Sequence, residues 1–204
     1  MRTTTLTVGL ALTTILATGC SQAETPDEGT ATPTDQSVQP TTSPSVTASI
    51  FMEWSEGAGA VTYDETAVPV GATADVQVRE EGEQTNVQFT ATGLEGDRDF
   101  GAHVHTQPCG EEPSDAGPHY QNEVDPAATE DEPSSDPAYA NPENEVWLDF
   151  TTDADGNAVT TATVDWTFRE GEARSLVLHD QHTSTEHGEA GTAGDRLACV
   201  TVEF

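Results

Sequence analysis

Phe100-Gly101-Ala102-His103-Val104-His105-Thr106 is the stretch on which the reading of this chain turns. Its composition predicts a strand over 100–106. Side chains two apart in a strand point to the same face, so His103 and His105 present two imidazoles side by side. Imidazole is a borderline ligand that suits copper and zinc. Three other segments carry matching chemistry. His119 stands in Ala116-Gly117-Pro118-His119-Tyr120, His179 closes Leu176-Val177-Leu178-His179, and Arg196 precedes Leu197-Ala198-Cys199. A His-x-His pair alone arises often by chance. Four histidines, an arginine and two cysteines in this order are far more specific.

Outward from that stretch, short alternating runs dominate. Candidate strands are 60–64, 74–80, 85–92, 100–106, 146–152, 158–166, 175–179 and 197–204, rich in Val, Thr, Phe and Trp. Turn signals at Glu81-Gly82, Glu95-Gly96 and Asp155-Gly156 separate them. About eight short strands without an amphipathic helix predict an all-β fold, an antiparallel sandwich or barrel. Two long loops interrupt the pattern, and loops of such length are usually functional or disordered. Residues 107–145 hold Cys109, His119, several prolines and many carboxylates. Residues 180–195 hold His182, Glu186, His187 and Glu189. The two histidines there read as solvated loop residues, with auxiliary metal ligation as the alternative.

These segments resemble the copper/zinc superoxide dismutase family, over roughly Val61 to Phe204. Phe100-Gly101-Ala102-His103-Val104-His105 is similar to the family's Gly-Phe-His-Val-His strand. Ala116-Gly117-Pro118-His119 is similar to the segment of its metal-bridging histidine. Arg174-Ser175-Leu176-Val177-Leu178-His179 resembles the strand ending in the fourth copper ligand. Gly194-Asp195-Arg196-Leu197-Ala198-Cys199 resembles the segment with the active-site arginine and a disulfide cysteine. The resemblance implies a Greek-key β-barrel that converts superoxide to dioxygen and hydrogen peroxide. Copper would be held by His103, His105, His119 and His179. His119 would leave the reduced metal and, once protonated, deliver a proton to the product, while Arg196 would anchor the superoxide anion.

The departures from the family pattern are informative. Its zinc ligands include two more histidines downstream of the bridging one, yet no histidine lies between His119 and His179. An ungapped alignment puts Val146 at the zinc aspartate. Structural zinc prefers four Cys, His or carboxylate ligands. The expectation is a copper-only member without zinc, in which Glu145 or Asp149 holds the other nitrogen of His119. A copper-binding protein on the same fold, without turnover, is the alternative. It would have no need of Arg196.

The N-terminal sequence suggests an address. Residues 1–19 carry Arg2 and a short apolar stretch, too short for a membrane span, and read as a signal peptide. Leu16-Ala17-Thr18-Gly19-Cys20 resembles a bacterial lipobox, with Cys20 as the lipidated residue. An ordinary secretory signal is the alternative. Residues 20–47 are rich in Thr, Ser and Pro and read as a disordered tether reaching about 30 Å. The dismutase-like domain would then span 48–204. The expected location is extracytoplasmic, anchored to the cell membrane by lipid. Setting Cys20 aside leaves Cys109 and Cys199, whose pairing as a disulfide suits that compartment. The net charge is −31, with six arginines and no lysine. That excludes nucleic acid as a partner, since phosphate binding needs clustered cations. It suits solubility or high salt.

Overall fold

The computed structural model describes residues 43–129 and 132–204. The expected signal peptide, Cys20 and most of the expected tether lie outside the described residues. Among the described residues nine strands follow in chain order: β1 (Ser45–Ile50), β2 (Ala60–Thr62), β3 (Thr73–Glu81), β4 (Gln84–Thr92), β5 (Asp99–His105), β6 (Phe150–Thr151), β7 (Ala158–Val164), β8 (Ser175–His179) and β9 (Arg196–Thr201). They form two antiparallel sheets, ordered β1-β3-β4-β7 and β2-β9-β8-β5-β6. This is a Greek-key β-sandwich. Among the described residues there is no α-helix, only a single 3₁₀ turn at Pro113–Ala116.

The core lies between the sheets. Val76, Val78, Val87, Phe89 and Ala91 alternate inward from β3 and β4. Phe100, Ala102, Val104, Leu176, Leu178, Ala198 and Val200 answer them from β5, β8 and β9. The Phe150 ring lies 5.4 Å from Phe89 and 5.0 Å from Phe100, which joins the two layers. The four-stranded sheet keeps a wet outer face, as alternating strands predict. The five-stranded sheet does not. Every residue of β5 after Asp99 is buried, and so is all of β8. The reverse face of this sheet, where His103 and His105 point, is covered by the β5–β6 and β8–β9 connections.

Three departures from the expected strands stand out. A strand absent from the expected set, β1, begins at Ser45, inside the run expected as tether, and pairs with β3 from Ser45↔Val78 to Ile50↔Thr73. Its sequence hid it: Val46 and Ile50 face solvent while Thr47 and Ser49 face inward. Backbone hydrogen bonds to β3 hold it there, more than burial. The run expected as a strand over 146–152 is strand only at Phe150–Thr151, with an isolated bridge between Trp147 and His103. β9 ends at Thr201 instead of running to Phe204.

Cys109 and Cys199 form a disulfide across 90 residues. It joins the β5–β6 connection to β9, beside Val61, Ala116 and Val177 in a second small apolar cluster. Cross-linking a loop of this length removes much unfolded-chain entropy. Cys109→Ser with Cys199→Ser is expected to lower the unfolding free energy by about 4–5 kcal/mol in denaturant titrations. A loss below about 1 kcal/mol would show that the remaining contacts already hold the connection.

Candidate metal centre

His103 and His105 leave β5 on its covered face. The chain after β5 doubles back along the strand: Thr106 N–H donates to Pro118 O, Gln107 N–H to Ala116 O, and Tyr120 N–H to Val104 O at 2.8 Å. That return lays His119 opposite His105 in an isolated bridge. Gly117 sits at its bend with φ +72°, and a Cβ there would lie 2.6 Å from Thr106 Oγ1. His179 ends β8 opposite Gly101. At this point β8 and β9 slip register, Leu178 pairing with Ala198 but His179 with Arg196. Such a bulge re-aims side chains beside a site.

The four imidazoles converge. The centroids of the His119 and His179 rings lie 4.2–5.6 Å from those of His103 and His105 and 5.8 Å from each other. One nitrogen from each ring lies within 4.8 Å of the other three. Each ring's other nitrogen is engaged. His105 Nδ1 faces Gly117 O at 2.9 Å, His179 Nδ1 faces Gly194 O at 3.4 Å, and His119 Nδ1 faces Glu145 Oε2 at 2.9 Å. His103 is turned the other way, with Nε2 2.7 Å from Thr183 Oγ1. Its Nδ1 is buried without a hydrogen-bond partner. A buried nitrogen left unpaired is costly unless something fills the space before it. Nitrogens gathered this closely from four rings form a ligand set that one ion can draw together. The donor set fits a copper ion, which favours imidazole and tetragonal geometry. It is also the one such group among the described residues.

The carboxylates divide their work. Glu145 is buried and accepts from His119, from Gln121 Nε2 at 2.8 Å and from Trp147 Nε1 at 2.8 Å. Asp149 does not touch His119, the histidine for which it was a candidate. It clamps Thr183, accepting from its N–H at 2.7 Å and its hydroxyl at 2.6 Å. Alternation explains the split. Val146, Leu148 and Phe150 face the core, so Glu145, Trp147 and Asp149 fall on the site face along β5. Trp147 was legible from the same period. Thr183 had no signal, lying in an irregular loop 80 residues from His103. His182 donates to or accepts from no site residue; its Nε2 meets Phe150 O at 3.1 Å. His187 is exposed. Neither joins the cluster.

An open cavity of about 680 Å³ reaches the centre, lined by His119, Glu145, His179, Gly191 and Arg196. Arg196 is half-buried and donates to Pro113 O at 2.9 Å, which braces its guanidinium at the mouth.

A model of copper/zinc superoxide dismutases matches residues 71–202. The chain belongs to the copper/zinc superoxide dismutase family. No curated protein matches it in sequence. Among solved structures it is similar to the Cu/Zn superoxide dismutase of Brucella abortus, at 17% identity and a TM-score of 0.51, covering 78% of this chain and 100% of that one. It is also similar to a double mutant of a superoxide-dismutase-like protein from Bacillus subtilis, at 16% identity and a TM-score of 0.47, covering 64% and 89%. At 17% identity the likeness to the Brucella protein concerns the fold alone.

Burial sets the protonation of the centre. Desolvation, then the like charge of neighbouring rings, pushes His103 and His105 well below the usual imidazole value, and takes His179 down to about 3. The unfolded chain therefore binds protons before the folded one as pH falls through about 6.5. The stability these rings contribute is present above that pH and is lost as pH drops toward 3. Thermal melts of the metal-free protein are expected to shift down steadily below pH 6.5. Melts unchanged between pH 7 and pH 4 would overturn this.

Proposed function

We propose that this chain is an extracytoplasmic, copper-only superoxide dismutase. The observation that carries the reading is the ring of four converging histidine donors, with His103 Nδ1 left unpartnered at its centre. Copper, when bound, supplies one-electron chemistry by alternating between two oxidation states. Everything else falls to the chain. His103, His105 and His179 would hold the ion from β5 and β8, their outer nitrogens fixed by Thr183, Gly117 and Gly194.

His119 has a second task. Glu145 anchors its Nδ1, so the ring keeps its orientation whether or not Nε2 is a ligand. With copper bound, Nε2 of His119 would face the cavity either as a ligand or as a proton donor to the product, the general-acid role an imidazole can fill. The place beside Nδ1 that a zinc ion would need is taken by the buried Glu145, itself saturated by Gln121 and Trp147. That supports the copper-only reading. Arg196 draws the superoxide anion to the mouth of the cavity, where a fixed guanidinium is preorganised. The disulfide suits an oxidising compartment, and the N-terminal sequence suits a lipid anchor at Cys20.

Copper-loaded protein is expected to carry about one copper, to retain no zinc after dialysis, and to dismutate superoxide. Metal analysis and an activity assay on one sample check both. Bound copper without activity would favour the metal-carrier reading; stoichiometric retained zinc would remove the copper-only part. His105→Ala is expected to lose copper and activity together.

Arg196→Ala separates steering from ligation. It is expected to keep the copper and lose activity by an order of magnitude or more. With a net charge of −31, distant carboxylates repel the substrate, and salt screens them over about 8 Å at physiological strength. The unmodified protein's rate should stay flat or rise with salt. A steep fall would mean that long-range attraction dominates.

A further inference from the structure

Thr183 belongs to no motif in the sequence, yet it joins Asp149 to a ring of the metal centre. Its hydroxyl lies 2.6 Å from Asp149 Oδ1 and 2.7 Å from His103 Nε2. Its backbone N–H takes the other carboxylate oxygen at 2.7 Å. A hydroxyl has one hydrogen, and a carboxylate has none to give. The Thr183 hydrogen is therefore committed to Asp149, and only lone pairs remain to face His103. The hydrogen in the contact between Thr183 and His103 must sit on Nε2. The Nδ1 lone pair of that ring is then free, and Nδ1 is the atom buried without a partner.

The other three rings need no such device. Gly117 O, Gly194 O and Glu145 are acceptors, so each fixes a hydrogen on Nδ1 and leaves Nε2 as the donor. His103 alone is reversed, and it alone is held by a group that can either give or take. Thr183 by itself would leave the tautomer undefined; Asp149 supplies the direction. We propose that Asp149 and Thr183 are positioning residues that fix His103 as the Nε2–H tautomer, presenting Nδ1 to the metal before any metal arrives. Gly101 makes the relay possible. A Cβ there would lie 2.6 Å from Gln181 O and 2.8 Å from the Ala193 side chain, so only glycine lets the 180–195 loop descend to this depth. Backbone bonds Gln181→Ala193 and Ser184→Thr192 then bracket Thr183.

The inference rests on the copper reading proposed above, but its test does not. Long-range proton–nitrogen correlation spectra of metal-free, ¹⁵N-histidine-labelled protein report the tautomer of each ring. His103 is expected as Nε2–H and the other three as Nδ1–H. In Asp149→Asn the side-chain carbonyl is claimed by Thr183 N–H, so the amide donates to Thr183 Oγ1 and turns its hydrogen onto His103. The His103 tautomer is expected to invert while the other three stay. Copper affinity, by competition with a chelator, should fall about 10- to 100-fold. Thr183→Val should leave His103 with both tautomers, and Thr183→Ser should restore the wild-type pattern and affinity. If Asp149→Asn does not fold, the Thr183 pair of near-equal volumes carries the same comparison. His103 as Nδ1–H in the unmodified protein, or as unchanged Nε2–H in both Asp149→Asn and Thr183→Val, would overturn the proposal. Failure of the unmodified protein to bind copper would instead strike the copper reading and leave the tautomer result standing.

Discussion

The pleat of β5 is the constraint on which the rest of the structure depends. Its alternation sends Phe100, Ala102 and Val104 into the sandwich and Gly101, His103 and His105 to the opposite face. A sheet face carrying two imidazoles is not greasy enough to bury by apolar packing alone, yet both rings are fully buried. Buried polar groups must be hydrogen-bonded. The two long connections supply those bonds. The β5–β6 connection brings Gly117 O, His119 and Glu145; the β8–β9 connection brings Thr183 and Gly194 O. The length of both loops is thus a requirement of covering one polar face of one sheet.

That covering has an anchor at each side. The disulfide fixes the first connection to β9 at Cys199, on the same reverse face as Val177. Arg98 fixes the start of the second, donating to Asp180 and to Glu95 while lying 5.2 Å above the Phe100 ring. The site is therefore built on rigid elements with loops tied at their roots, the arrangement that holds a ligand set in place without help from the metal.

Much of this was legible in the sequence, and the reason is periodicity. The period of two around His103 and His105 fixed which face the rings share. The same period runs through Glu145-Val146-Trp147-Leu148-Asp149, where the structure puts two carboxylates and an indole on the site side. It could not say which histidine each carboxylate meets, because that depends on register across β5 and on a loop that has no period. Asp149 was accordingly matched to His119, whereas it reaches His103 through Thr183. Strand β1 was illegible for the opposite reason: its apolar residues face out, so the pattern that reveals other strands pointed away from the fold.

Glu145 shows why an acidic chain need not place its charge at random. Burying a carboxylate is expensive unless its lone pairs are met. Glu145 is 2% exposed and has three donors, from His119, Gln121 and Trp147. Two of these, Gln121 and Trp147, are neutral side chains that donate to no ring nitrogen, though Trp147 also packs edge-on against His103. They keep the carboxylate in one orientation, and the carboxylate keeps His119 in one orientation. Asp149 is held by both donors of Thr183 in the same manner. Of the many acids in the chain, these two are fixed by the fold against the histidine cluster, one directly and one through a hydroxyl. On the copper-only reading, they are what replaces a second metal ion as the rigid support of the first.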